Sequence, residues 1–237
     1  MMISHDLQLY DHLLRFQLFQ GLSRSELLQL AGNTKFGFAT VKAGQVVVKE
    51  DMVCTQLFFL ISGTMQQRRR SDDGGYTLTE QLESPWLLQP EALFGAQPRH
   101  TTHCVTLGPC QFIVLSKDEV MRLLDDFLII RLNFLNLLAT RAQQGVRWTW
   151  RSVPTSLSER FLRFLLAHCV YPAGPKQLSI LMTRLAEELS DSRLNVSRML
   201  NGLQDQQLLH LRRGNIDIPS LERLLQISAS ACGTFKK

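Results

Sequence analysis

LAEELSDSRLNVSRML, residues 185–200, decides how this chain is understood, because it sets two short apolar-periodic helices on either side of a tight break. Leu185, Ala186 and Leu189 recur at the spacing of one helix face, and Val196, Met199 and Leu200 do so again after the break. Two apolar stripes that meet across a turn make a helix-turn-helix. Ser192 stands where an N-cap accepts a free backbone N–H of the second helix. This leaves Arg193, Leu194, Asn195, Ser197 and Arg198 on the outer face. Arginine donates two hydrogen bonds to a guanine edge or holds a phosphate, and asparagine does the same for adenine or backbone, so the face suits the major groove of double-stranded DNA. The alternative is a pair of ordinary core helices with a solvated arginine face.

Working outward, a hairpin is expected downstream, with Leu208 to Leu211 and Ile216 to Ile218 flanking Arg212-Arg213-Gly214-Asn215. It forms a wing, and Arg212 and Arg213 at its tip are placed to meet phosphates, a contact that positions without reading sequence. Upstream, the spacing predicts a helix from Leu157 to His168 and a short run from Leu178 to Met182. Ser152-Val153-Pro154-Thr155 reads as a hinge, since proline disfavours helix at the residue before it.

Before the hinge, residues 118–150 carry more apolar side chains than one helix face needs, and one long helix is expected. Leu123, Phe127, Ile130, Phe134 and Leu137 follow the three-four spacing of a coiled-coil seam and are the expected dimer contact, and Leu124, Leu128, Leu135 and Leu138 make a neighbouring stripe. One stripe can cover the strand domain; the other calls for a partner, either the same helix of a second copy in a symmetric dimer or another segment of this chain. Earlier still, VKAGQVVVKE, QLFFLISGTMQQ, YTLTEQL, THCVTL and QFIVLS are short β-rich runs, and the turn Ser71-Asp72-Asp73-Gly74-Gly75 joins two of them as a hairpin. So many short strands suggest an antiparallel roll or small barrel. Three Ser-x-x-Glu boxes, Ser23/Glu26, Ser116/Glu119 and Ser156/Glu159, mark helix starts.

At 237 residues the chain accommodates two domains, each able to bury a core. Its 45% hydrophobic and 20% charged content is globular, no run of eighteen apolar residues could span a bilayer, and no secretory signal is visible, so a cytoplasmic protein without membrane contact is expected. Cys54, Cys104, Cys110, Cys169 and Cys232 are scattered without a C-x-x-C pair, which argues against a disulfide framework or zinc site. The net charge of +5 permits a polyanionic partner without identifying one.

Taken in order, strand roll, amphipathic helix, hinge and winged helix-turn-helix, the chain resembles the catabolite-activator/FNR (CRP/FNR) family of bacterial transcription regulators. LFQGLSRSELLQLA at 18–31, KAGQVVVKE, FFLISG at 58–63 and LAEELSDSRLNVSRML carry the likeness. The resemblance implies an α+β fold: residues 1–117 as a helical segment with a cyclic-nucleotide-binding-like antiparallel β-roll (jelly roll), 118–151 as a long dimerisation helix, and 152–237 as a winged helix-turn-helix. It implies a homodimer on DNA, with RNA polymerase as a further partner and no catalytic residues. It puts Arg193, Leu194 and Arg198 at the base-reading positions. The middle one is commonly glutamate in the family; leucine accepts no hydrogen bond from cytosine, so a thymine methyl contact and an altered operator are expected. Ser190 stands where the family often has glycine, in a turn that asks for positive φ.

The same resemblance points to Glu91, Arg99, His100 and Thr101 as an effector cassette, and there the match weakens. Pro90 replaces a glycine whose amide would approach a phosphate, and proline has no N–H. His100 replaces a small hydroxyl residue, and Gly145-Val146 stands where a cAMP-binding member presents Thr-Ser. These departures argue against cAMP; Arg99 either holds another anion or pairs with Glu91. No cysteine precedes Cys54, which argues against an iron–sulfur cluster, and His5, His12, His100, His103 and Cys104 offer only weak grounds for haem. Two alternatives remain: a regulator with no small-molecule effector, and a cupin-like metalloenzyme, using His100, His103 and Glu91, fused to a DNA-binding module.

Overall fold

The computed structural model describes residues 9–149, 152 and 154–231. The hinge expected at 152–155 falls partly outside these residues, and His5 and Cys232 lie wholly outside them. The chain divides into two compact units, Met1–Met65 with Leu82–Gln144, and Gln66–Gln81 with Gly145–Lys237.

The first unit opens with helix α1 (9–13) and a 3-10 turn at Gln17–Phe19. Helix α2 (Arg24–Asn33) follows and is started by a complete capping box: the Ser23 hydroxyl accepts from Glu26 N, and the Glu26 carboxylate accepts from Ser23 N at 2.7 Å. The roll is built from β1 (Gly37–Val41), β2 (Val46–Val48), β3 (Gln56–Ser62), β4 (Thr64–Arg70), β5 (Tyr76–Glu83), β6 (Trp86–Leu87), β7 (His103–Thr106) and β8 (Cys110–Ser116). One sheet runs β1-β8-β3-β6; the facing set pairs β4 with β7 and β7 with β2. Gly63 divides β3 from β4, where the run at 56–67 had read as continuous. Its φ is 102°, and a Cβ there would lie 2.6 Å from Pro109 O and 2.7 Å from Cys110 Sγ, so only glycine fits. Between the sheets pack Val48, Leu60, Met65, Leu82, Leu88, Cys104, Cys110 and Phe112.

The long helix expected over 118–150 is two helices, α4 (Lys117–Asp126) and α5 (Leu128–Thr149). No proline causes the break. Phe127 leaves helical geometry (φ −122°, ψ 103°) with its ring buried, and Arg131 compensates by donating to the freed carbonyls of Leu124 (2.6 Å) and Asp125 (3.0 Å). The break also corrects the expected dimer seam. Leu123, Phe127, Ile130 and Phe134 are at most 5% exposed and pack with Phe19, Phe59 and Leu93 in the core of their own unit, and Leu137 is half-buried. The exposed row of α5 is instead Leu128, Leu132, Leu135, Ala139, Ala142 and Val146. Its spacing alternates four and three, the repeat of a two-helix seam.

The second unit contains α6 (Leu157–His168), β9 (Lys176–Ile180), α7 (Met182–Glu188), α8 (Arg193–Asp205), β10 (His210–Arg212), β11 (Asn215–Ile218) and α9 (Leu221–Ala231). The tip of the β4–β5 hairpin belongs to it as well, giving the order β10-β11-β9-β5, with Tyr76 to Glu80 paired against Ile180 to Lys176. This pairing was not expected from sequence. It carries a buried ion pair: Glu80 meets Lys176 Nζ at 3.4 Å, accepts from Val170 N (3.0 Å) and Tyr171 N (3.3 Å), while Lys176 donates to Ala173 O (2.6 Å). Both side chains are almost wholly buried, so each charge is tolerated only because the other and the backbone groups satisfy it. Alongside, His168 Nδ1 donates to Phe164 O, leaving Nε2 to accept from Tyr76 OH at 2.8 Å. At the hairpin turn, Gly74 takes φ 71° and Asp73 pairs with Arg184 of α7 at 2.9 Å.

Candidate functional site

Helices α7 and α8 form the helix-turn-helix, and α7 ends in the turn between them through a pair of backbone hydrogen bonds. Asp191 N donates to Ala186 O and Ser190 N to Glu187 O, both 3.0 Å, the reciprocal pair that ends a helix when one residue adopts positive φ. That residue is Ser190, at φ 50°. Ser192 then caps α8, accepting from Asn195 N at 3.2 Å. Val196, Leu200 and Leu203 face inward onto Leu185, Ala186 and Leu189 in the core of this unit.

The opposite face of α8 is open. Arg193, Leu194 (59% exposed), Asn195 and Arg198 are exposed and Ser197 is half-buried. Among the described residues neither Arg193 nor Arg198 has a side-chain hydrogen bond or ion pair, so both guanidiniums present all their donors outward. Asn195 differs, because its amide nitrogen donates to Asp191 Oδ1 at 2.8 Å. In the wing, Gly214 turns the chain with φ 73° and Arg213 is exposed at the tip. Arg212 lies in β10 and pairs with Asp217 at 3.0 Å. Of the two wing arginines only Arg213 stands at the tip.

Asp191 and Arg160 were not singled out by sequence. Arg160, on α6, makes an ion pair with Asp191 and donates to Ser190 O at 3.4 Å, which fixes the turn against a helix thirty residues earlier. A Ser-x-x-Asn cap preceded by aspartate was visible as a local signal; nothing in the spacing pointed to Arg160.

The cassette of the roll is closed upon itself. Gln89, buried at φ 36°, accepts from Thr101 N (2.8 Å) and Thr101 Oγ1 (3.2 Å) and donates to Thr102 Oγ1 (2.6 Å). Glu91 begins the short helix α3 (Glu91–Phe94) behind Pro90 and pairs with Arg141 of α5. Arg99 is exposed and donates to Asp51 O at 2.6 Å. The pairing of Arg99 with Glu91 weighed from sequence therefore does not occur: each has another partner. His100 is buried, with Nδ1 lacking a hydrogen-bond partner, and burial pushes its pKa down against a smaller upward pull from Glu91. Gln89 and Arg141 were missed, since neither belongs to a spacing that marks a site.

Among the described residues, no group of three histidine, cysteine, aspartate or glutamate side chains is arranged to hold a metal ion. No described helix is long and apolar enough to cross a membrane.

Comparison with known proteins agrees with this layout. Residues 38–127 match the cyclic nucleotide-binding domain family, and residues 159–227 match the Crp-like helix-turn-helix domain family. No curated protein matches the sequence. Among solved structures, the fold is shared with a regulator of the Crp/Fnr family from Eubacterium rectale (TM-score 0.52, 21% identity, covering 90% of this chain and 98% of that one). It is also shared with the sensor domain of the regulator DNR from Pseudomonas aeruginosa (TM-score 0.51, 20% identity, covering 64% of this chain and 98% of that one). A nucleotide-binding-type roll followed in one chain by a Crp-like helix-turn-helix, with a helix between whose buried face serves the roll, is the architecture of one group of DNA-binding regulators. The chain belongs to the CRP/FNR family of transcriptional regulators.

Proposed function

We propose that the chain is a homodimeric regulator that reads DNA through α8 and positions itself with the wing. The observation that carries this is the open face of α8, where Arg193 and Arg198 flank exposed Leu194 and have no partner among the described residues. Arg193 and Arg198 take guanine edges or phosphates, Leu194 contacts a thymine methyl, and Arg213 touches the backbone beside the groove. Ser192 serves as the cap of the reading helix. The exposed row Leu128, Leu132, Leu135, Ala139, Ala142 and Val146 meets the same row of a second copy, and the resulting two-fold axis requires a pseudo-palindromic operator. Such a protein acts in the cytoplasm with RNA polymerase as its downstream partner and without a catalytic step.

The test is anisotropy on DNA selected from a random pool. Arg193→Ala and Arg198→Ala each lower discrimination against single-base variants by about 1–3 kcal/mol, and unchanged discrimination would sink the reading. Leu132→Glu, on the exposed row, converts a dimer to monomers in sedimentation while leaving each roll folded.

The closed cassette favours a regulator whose roll does not take cAMP. Gln89 already occupies the Thr101 amide and hydroxyl, and Pro90 offers no donor, so an incoming phosphate would have to displace the amide of Gln89 first. Glu91, Arg99 and Thr101, each held by a protein partner, act in this reading as a structural lock with His100 buried behind them. Titration with cAMP monitored by thermal shift is expected to leave the melting temperature unchanged, because only a ligand that binds the native state raises it.

A further inference from the structure

We propose that Asp191 is a specificity-determining positioning residue of the DNA reader: it fixes the side chain of Asn195 and takes the Ser192 amide, so that α8 meets DNA with Asn195 already oriented and with one phosphate-binding donor withdrawn. The proposal rests on DNA reading by α8. Asp191 Oδ1 accepts from Ser192 N and from Asn195 Nδ2, both at 2.8 Å, while Oδ2 is held by Arg160. Arg160 also reaches Ser190 O, so the carboxylate cannot swing away without breaking contacts on both sides of the turn. The hydrogen bonds from Asn195 and Ser192, with the Arg160 charge behind them, keep this carboxyl below the usual carboxylate range, so it is ionised at neutral pH.

Two physical consequences follow from that arrangement. A free asparagine at the start of a recognition helix samples several rotamers and can swap its donor and acceptor ends between bases or phosphates. With one N–H of its amide tied back to Asp191, Asn195 keeps its carbonyl acceptor and its second N–H in one fixed arrangement, which fits one base edge rather than several. The orientation is fixed before DNA arrives, so its entropy is not lost on binding. The second consequence is electrostatic. The N-terminal end of a helix attracts phosphates through free amides and the positive end of its dipole. A carboxylate at this end occupies one such amide and repels the DNA backbone, which lowers affinity for every sequence alike and raises the share of binding that depends on base contacts.

The experiment uses the full chain, its selected operator, single-base variants of that operator and random-sequence DNA, with affinities measured over a range of salt. The wild-type protein must first prefer its operator; if it binds all DNA equally, DNA reading by α8 has failed rather than the role of Asp191. Asp191→Asn keeps an acceptor for Ser192 and Asn195 but removes the charge. It is expected to raise affinity for random DNA about threefold or more while keeping the base preference. Asp191→Ala is expected to raise random-DNA affinity similarly, to steepen the salt dependence by about one unit of slope, and to lower discrimination at the base pair facing Asn195 about fivefold. Asn195→Ala lowers discrimination at the same base pair, and adding it to Asp191→Ala brings no further loss. Equal changes in specific and random-DNA affinity at constant salt slope, or additive effects of the two alanine substitutions, would overturn the proposal and leave Asp191 a structural residue. Arg160→Lys serves as the folding control: it retains a charge beside Asp191 and should preserve the base preference.

Discussion

The outer face of α8 and the cassette of the roll treat their polar groups in opposite ways. On α8 the arginines at 193 and 198 have no partner within the described residues, and leucine stands exposed between them. In the cassette Gln89, Glu91, Arg99, Thr101 and Thr102 are each engaged by the protein itself. A group that is already satisfied gains little by meeting a ligand, because one hydrogen bond is exchanged for another. Readers leave their groups open and scaffolds close theirs. On the proposed function, the roll serves as a closed scaffold and recognition falls to α8.

Breaking closure costs most where it is deepest. Glu80 and Lys176 are the extreme case, and Glu80→Ala leaves a buried ammonium with only the Ala173 carbonyl and two unsatisfied amides at Val170 and Tyr171. A loss of about 3–5 kcal/mol is expected, read as collapsed hydrogen-exchange protection over β9 and α8. If protection in that unit survives, the β5–β9 pairing is not what supports it. Substituting Glu80→Gln, which keeps the shape and one acceptor, should cost less.

The cassette comes next. Gln89→Ala removes the acceptor of the Thr101 amide and the donor to buried Thr102, and destabilises the roll by about 2 kcal/mol. The comparison gains if the same substitution creates anion binding that the wild type lacks, since it frees the donors that Gln89 occupies. Measured stability equal to wild type would mean that the network is not what closes the site.

How far all this was legible in sequence follows the range of the interactions. Local chemistry was visible: the capping serines at 23, 116, 156 and 192 all accept from the residue three positions on, and the glycines at 74 and 214 turn their hairpins as expected. The limits of α6 were likewise foreseen, whereas the positive φ at Ser190 followed only from the family resemblance, since serine itself speaks against it. What failed was long-range. Periodicity correctly found two apolar stripes before the hinge but gave no sign of which one the roll would bury, and the seam assigned to a partner turned out to be core. The break at Phe127 was invisible because no proline or glycine marks it; it depends on Arg131 reaching back to Leu124 and Asp125. The β5–β9 pairing joins segments about a hundred residues apart, and no turn signal spans them. Even the second half of a capping box is context-dependent. Glu119 leaves its serine to bind Arg122 and the Lys35 amide, whereas Glu26 completes the box.

A smaller effect in the cassette is read by pH. Burial holds His100 below the ordinary histidine value of 6.5, so in the interval between its folded and unfolded pKa the unfolded chain binds more protons. The roll is therefore at full stability above that interval and loses stability as the pH falls through it. The slope stays within the single-proton limit of about 1.4 kcal/mol per pH unit. His100→Asn should flatten this dependence in urea titrations between neutral and mildly acidic pH. A profile with the same slope in the variant would assign the acid sensitivity to other groups.

The smallest effect is also the sharpest test of open against closed, because both sites contain a non-glycine residue at positive φ. Ser190 at φ 50° ends α7 through backbone hydrogen bonds from its own and the next amide, neither of which requires a side chain. Glycine relieves the left-handed strain there but adds freedom to the unfolded chain, and the balance leaves Ser190→Gly about 0.5 kcal/mol more stable. Gln89 at φ 36° has the same strain, yet its side chain makes three hydrogen bonds that glycine forfeits. Gln89→Gly should therefore destabilise the roll despite removing the strain, and opposite signs for the two glycine substitutions are the expected result. If both stabilise, the cassette network contributes less than the strain it imposes, and the roll is not locked by Gln89. If both destabilise, the serine at the helix-turn-helix corner has a role beyond permitting the turn, and the corner cannot be treated as backbone alone.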